Sequence, residues 1–105
     1  MKEELIVNEN LFVVHIERTK IYNKMTKNMV IEHVNNIKKL DDEGKLELCG
    51  VFKGYPGIAG MYIIKAKDIK KAHEICKMEP LVILGYATYK VYEFKKATRE
   101  NNYLI

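Results

Sequence analysis

Three histidines and two cysteines are the side chains best suited to proton or ligand chemistry near neutral pH in this 105-residue chain. One of them, His33, sits where a polar ring has to be explained. Met29, Val30, His33, Val34, Ile37 and Leu40 recur at steps of three and four residues, the stripe of one amphipathic helix face. A carboxylate bonded to one ring nitrogen would fix the tautomer and leave the other nitrogen free as a general base. The plainer reading is a core histidine satisfied by a backbone carbonyl or a structural ion pair, and spacing alone leaves both open.

The remaining candidates carry less. His15 lies mid-strand in phase with Leu11 and Val13, a lining or packing position. His73 and Cys76 stand three apart on a helix, enough for two metal ligands, but no third is in view and zinc wants three or four; no metal is expected. Cys49 and Cys76 fall inside expected elements without paired spacing and read as reduced, buried thiols. Gly54 and Gly57 do not precede a helix, so their loop is no phosphate cradle. Tyr86, Tyr92 and Phe94 share a strand face with Lys90, an aromatic–basic mix found on single-strand nucleic-acid platforms but equally suited to cross-strand packing or a subunit seam. The chain has no serine. Any enzyme built on it would work by proton transfer, and no cofactor is required.

The elements that must position these groups follow from pattern. Leu11 to Arg18 is β-branched and apolar, a strand. A helix is expected from about Asn23 to Glu43, with Gly44 in the place of the left-handed residue that ends a helix. Lys45 to Phe52 is a second strand, residues 53–57 a Gly/Pro turn, and Ile58 to Ala66 a third strand forming a hairpin with the second. Asp68 caps a second helix carrying Ile69, Ala72, Ile75 and Cys76. Pro80 is expected to end it, since the residue before a proline is pushed out of the helical region; Leu81 to Leu84 then cross to Gly85, and Tyr86 to Phe94 is the last strand. Residues 1–9 read as a leader or extra edge segment, and Tyr103-Leu104-Ile105 as an apolar ending able to dock on a surface.

The order βαββαβ is a split βαβ pair: a single α+β, ferredoxin-like domain, 1–105 with its core at about 11–96, having a four-stranded antiparallel sheet and two helices on one face. Strands one and three are apolar on both alternating sets: Leu11 and Val13 against Phe12, Val14 and Ile16; Met61 and Ile63 against Tyr62 and Ile64. Helices cover only one face, so a second copy packed sheet to sheet is the simplest cover for the other, and a homodimer is expected.

Totals narrow the function classes. No apolar run approaches the roughly 20 residues that span a bilayer, and the acidic, polar start MKEELIVNEN is unlike a signal peptide; a cytoplasmic protein without a membrane partner is expected. The net charge of +4 comes from lysine pairs at 38–39, 70–71 and 95–96, scattered and interleaved with acids, which reads as a solvated surface rather than a nucleic-acid groove.

The series His33-x6-Leu40-x3-Gly44-Lys45-Leu46, then Gly50, a strand, a short helix and Glu79-Pro80-x4-Gly85 resembles the YCII-related (YciI-like) family over about residues 11–96. The resemblance implies a ferredoxin-like fold in the dimeric α+β barrel superfamily. It also implies a cleft in which a histidine on helix one and an aspartate before the proline form an acid–base pair acting on a small molecule. His33 matches the histidine, and Glu79 stands at the aspartate position, its charge one methylene further out. After a helix C-terminus such a charge would oppose the dipole. Val30 stands where many members carry arginine, so no guanidinium is offered there. One branch of the family eliminates chloride from a chlorinated hydroxyquinol, and relatives sharing only the fold include isomerases and monooxygenases. The resemblance therefore implies a lyase or isomerase, with a non-catalytic dimeric scaffold or small-ligand-binding module as the alternative.

Overall fold

The computed structural model describes residues 10–103; the expectations for residues 1–9 and for Leu104 and Ile105 lie outside them. Four strands, β1 (Asn10–Arg18), β2 (Leu46–Val51), β3 (Ile58–Ala66) and β4 (Ala87–Phe94), form one sheet in the order β2-β3-β1-β4. Every neighbouring pair is antiparallel, as the split βαβ pattern requires. The helices are α1 (Lys27–Asp42), α2 (Ile69–Lys77) and a four-residue α3 (Pro80–Ile83), with a 3-10 turn at Tyr22–Lys24 ahead of α1. The fold is the expected α+β, ferredoxin-like one, with a third helix added.

Three local expectations need correction. The first helix does not run unbroken from Asn23: Met25 is extended (ψ 135°), and α1 starts afresh where the Thr26 side chain accepts the Met29 N–H at 3.3 Å. Within the stripe, Leu40 is buried and Met29, His33 and Ile37 are half-buried, while Val30 and Val34 face outward. Leu81 to Leu84 is not a plain crossing. Pro80 is the first residue of α3, where its fixed φ suits a helix and its missing N–H costs nothing. Finally, Cys76 is buried, but Cys49 is only half-buried.

Two Schellman closures shape the termini. At the end of α1, Gly44 (φ 73°) donates to Asp41 O and Lys45 N–H to Leu40 O at 2.9 Å. At the end of α3, Gly85 (φ 84°) donates to Val82 O and Tyr86 N–H to Leu81 O, again at 2.9 Å. In β3, Gly60 is required for another reason: a Cβ there would lie 2.3 Å from Gly50 O, so only glycine lets β2 approach so closely.

The sheet's two faces differ sharply. Phe12, Val14 and Ile16 of β1 with Tyr62 and Ile64 of β3 are buried beneath Ala72, Cys76 and Leu81 of the helices. On the other face Leu11, Val13, His15, Met61 and Ile63 are half-buried, while Leu48, Tyr92 and Phe94 are exposed. His15 meets Tyr92 edge-on across the β1–β4 pair, ring centres 5.8 Å apart. Lys90, Tyr92 and Phe94 of β4 therefore share this helix-free side, whereas Tyr86, expected with them, precedes β4 and packs against the buried core.

Candidate active site

The motif Glu79-Pro80-x4-Gly85 becomes a structural unit once its hydrogen bonds are followed. Proline starts α3, Gly85 closes it, and Glu79 is its N-cap, a side-chain oxygen accepting the Leu81 N–H at 3.0 Å. Glu79 does follow the C-terminus of α2, as expected, but its carboxylate also sits at the start of α3, where negative charge is favoured and offsets that conflict. The cap turns Glu79 inward, and it is 1% exposed, the sole charged residue in the core of the described residues.

An ion so deeply buried survives only if fully paired. Glu79 has three donors. Besides Leu81 N–H, the Tyr62 hydroxyl of β3 donates to Oε1. His33 Nδ1 from α1 lies 3.0 Å from Oε1 and 2.9 Å from Oε2. No buried side-chain polar atom among the described residues lacks a partner. Burial pushes the Glu79 carboxyl toward its neutral form; the hydrogen bonds from His33, Tyr62 and Leu81 outweigh it and hold the group below the ordinary value of 4.5. Burial, the adjacent Glu79 charge and the bond to it push the Tyr62 hydroxyl above its ordinary 10.0, so it stays a donor.

An ionised carboxylate only accepts hydrogen bonds. Nδ1 of His33 must therefore carry the proton of that bond, and whenever the ring is neutral the free lone pair lies on Nε2. The His33 side chain, 23% exposed, reaches a cleft of about 140 Å³ bounded by Tyr22, Ile37, Cys49, Tyr62 and Leu81. Arg18 braces the rim, donating to Tyr55 O at 2.7 Å and covering the Tyr22 ring at 5.2 Å.

The structure thus brings His33 and Glu79 together from residues 46 apart in sequence. Tyr62 escaped notice in the sequence, where it is one more apolar member of β3's inward phase; its signal was a hydroxyl tip that a buried tyrosine has to satisfy. His73 and Cys76 are not joined by a third ligand. His73 Nδ1 instead pairs with the Tyr89 hydroxyl at 2.7 Å, and burial, with a smaller contribution from the Glu79 charge, pushes the Cys76 thiol up to about 12. Among the described residues no group of three or more His, Cys, Asp or Glu could hold a metal.

A family model for the YCII-related domain matches residues 11–95. The chain belongs to the YCII-related family. Among solved structures, this YCII-related chain is similar to 5-chloro-2-hydroxyhydroquinone dehydrochlorinase (TftG) from Burkholderia phenoliruptrix AC1100, in complex with 2,5-dihydroxybenzoquinone. The TM-score is 0.69 at 15% identity, over 88% of this chain and 99% of that one. At that identity the likeness speaks for the fold. No curated protein matches the chain in sequence. No helix among the described residues is long and apolar enough to cross a membrane.

Proposed function

We propose that this YCII-related chain is a cofactor-independent lyase or isomerase in which His33 Nε2 carries the proton and Glu79 positions the ring. The observation that carries this reading is a buried carboxylate held ionised by three donors, one of them a histidine whose other nitrogen is free at an open cleft. A purely structural pair needs no cleft. Glu79 reaches His33 despite its extra methylene, so the exchange for aspartate leaves the pair intact.

The substrate class is a single small ring bearing acidic hydroxyls. A cavity of about 150 Å³ holds a benzene-sized molecule, close to the roughly 140 Å³ beside His33. The similar dehydrochlorinase acts on such a ring. His33 Nε2 takes a proton from a ring O–H or C–H, leaving the electron pair on the substrate. In an elimination that pair expels the leaving group as an anion, and the imidazolium later gives its proton to water. In an isomerisation the proton returns at a different carbon. Glu79 faces the positive ring throughout and needs no proton of its own.

The test is a panel of chlorinated and unsubstituted hydroxyquinols, read by chloride release and by solvent-deuterium exchange at ring carbons. Wild type should turn over at least one, and His33→Gln should lose about 10²–10⁴-fold in rate with an unchanged circular dichroism spectrum. Equal turnover by His33→Gln would discard the reading. The alternative, a ligand-binding module without chemistry, draws on Val30, which offers no cation one turn before His33; its mark is a saturable ligand that neither exchanges nor eliminates.

We further infer a cytoplasmic homodimer joined through the helix-free sheet face, whose apolar side chains Val13, Met61, Ile63 and Tyr92 a second copy would cover. Free thiols at Cys49 and Cys76 suit a reducing compartment. Sedimentation should give twice the chain mass at micromolar concentration, and Val13→Asp should give the single-chain mass; a wild-type monomer would sink the inference.

A further inference from the structure

We propose that the cleft between α1 and α2 is a second ligand site, built for a small free organic anion with an apolar body. It stands apart from the proposed chemistry at His33 and shares no lining residue with that cleft. Its origin is in the packing. α1 packs on α3 and β2, and α2 on the sheet and α3, so the two longer helices do not close on each other along their length. The gap left between the second half of α1 and α2 is about 390 Å³, within the range of roughly 300–1,000 Å³ typical of ligand pockets.

The charge in this gap is one-sided. Lys39 of α1, Lys45 ahead of β2, Lys67 beyond β3 and Lys71 of α2 line it, against two carboxylates, Glu43 and Glu74. Both carboxylates are already engaged, Glu43 with Lys45 at 3.3 Å and Glu74 with Lys71 at 3.4 Å. Among the described residues no carboxylate lies within ion-pairing distance of Lys39 or Lys67. Below the lysines, Leu40, Ala66 and Ile75 give an apolar floor, and the exposed Met78 stands at its edge. A concave, low-dielectric wall under cations of one sign concentrates their field on whatever enters. The matching ligand carries a carboxylate, sulfonate or phosphate at the mouth and an aromatic or short aliphatic body on the floor.

The probe is 1-anilinonaphthalene-8-sulfonate, with the uncharged N-phenyl-1-naphthylamine beside it, titrated by fluorescence against the full chain. The sulfonate should bind saturably at one site per chain and more tightly than the neutral compound, and weaken as salt is raised. K39E/K67E should weaken it about tenfold and K39M/K67M by less; both lysines are exposed, so the fold should persist by circular dichroism. His33→Gln should leave it unchanged, which separates this site from the one proposed for catalysis. Binding indifferent to salt and to K39E/K67E, or equal binding of the neutral compound, would overturn the proposal by assigning the probe to an apolar surface. Tighter binding after Glu3→Gln and Glu4→Gln would also overturn it, assigning the cleft to the chain's own acidic start.

Discussion

The His33 cleft and the lysine-lined cleft lie on the same helix-covered side of one sheet, yet they hold charge in opposite ways. At His33 the charge is one carboxylate, sealed from water and bonded by a hydroxyl, a backbone N–H and an imidazole, each fixed by a different element. Between α1 and α2 it is a set of ammonium groups on flexible stems, with ion pairs of 3.3–3.4 Å open to solvent. The first arrangement is costly to build and rigid once built, which suits a group that must keep a ring in one tautomer. The second costs little and adapts, which suits selection of a ligand by sign of charge rather than by exact shape.

The largest difference between the two should appear in Glu79→Ala. That change orphans the Tyr62 hydroxyl and the Leu81 N–H, uncaps α3 and releases His33. Losing one partner of a buried ionic network typically costs about 3–5 kcal/mol, to be read from urea unfolding. The same residue sets the acid limb of stability. Its folded-state carboxyl is held below the ordinary 4.5, so its contribution is complete above that pH and disappears as pH falls through the lower, folded-state value. Wild type should therefore lose stability on acidification below about pH 4.5, and Glu79→Ala should flatten that slope. An unchanged slope would mean that Glu79 is not ionised in the folded chain.

Tyr62→Phe removes one of the three donors and leaves the carboxylate buried with two. The expected loss is about 1–3 kcal/mol, smaller than for Glu79→Ala because the ion keeps its histidine. With a donor gone the carboxyl becomes easier to protonate, so the acid transition should move to higher pH. A loss of stability with an unshifted acid transition would argue that Tyr62 packs β3 rather than holding Glu79.

Much of the framework could be read from local pattern, because local physics decides it. The α1 stripe, the Gly44 stop, the Asp68 cap and the hairpin of β2 and β3 rest on neighbours in sequence. Glu79 is reached through its motif, but its capping role is not: four helical residues are too few for periodicity to register, so Pro80 reads as the stop of α2, which it is, and not also as the start of α3. Tyr62 was hidden because its hydroxyl's task depends on a carboxylate from another element. The lysine cleft was hidden for the same reason. Lys39 and Lys71 belong to doublets that looked scattered, and only the splay of α1 from α2 brings them to one opening.

The smallest effect sharpens the comparison from the other side. Lys71 and Glu74 are paired three residues apart on α2 at 3.4 Å, with side chains 58% and 51% exposed. Water screens such a pair, and ordering two long side chains offsets most of the remaining attraction. Lys71→Met should change stability by less than about 0.5 kcal/mol in urea unfolding, with no shift of the acid limb. It should nevertheless weaken the sulfonate probe measurably, because Lys71 lines the cleft and contributes to its field even while paired. A stability loss comparable to that of Tyr62→Phe would mean that the lysine cleft is held as rigidly as the histidine one, and the contrast between a fixed charge and an adaptable one would fail.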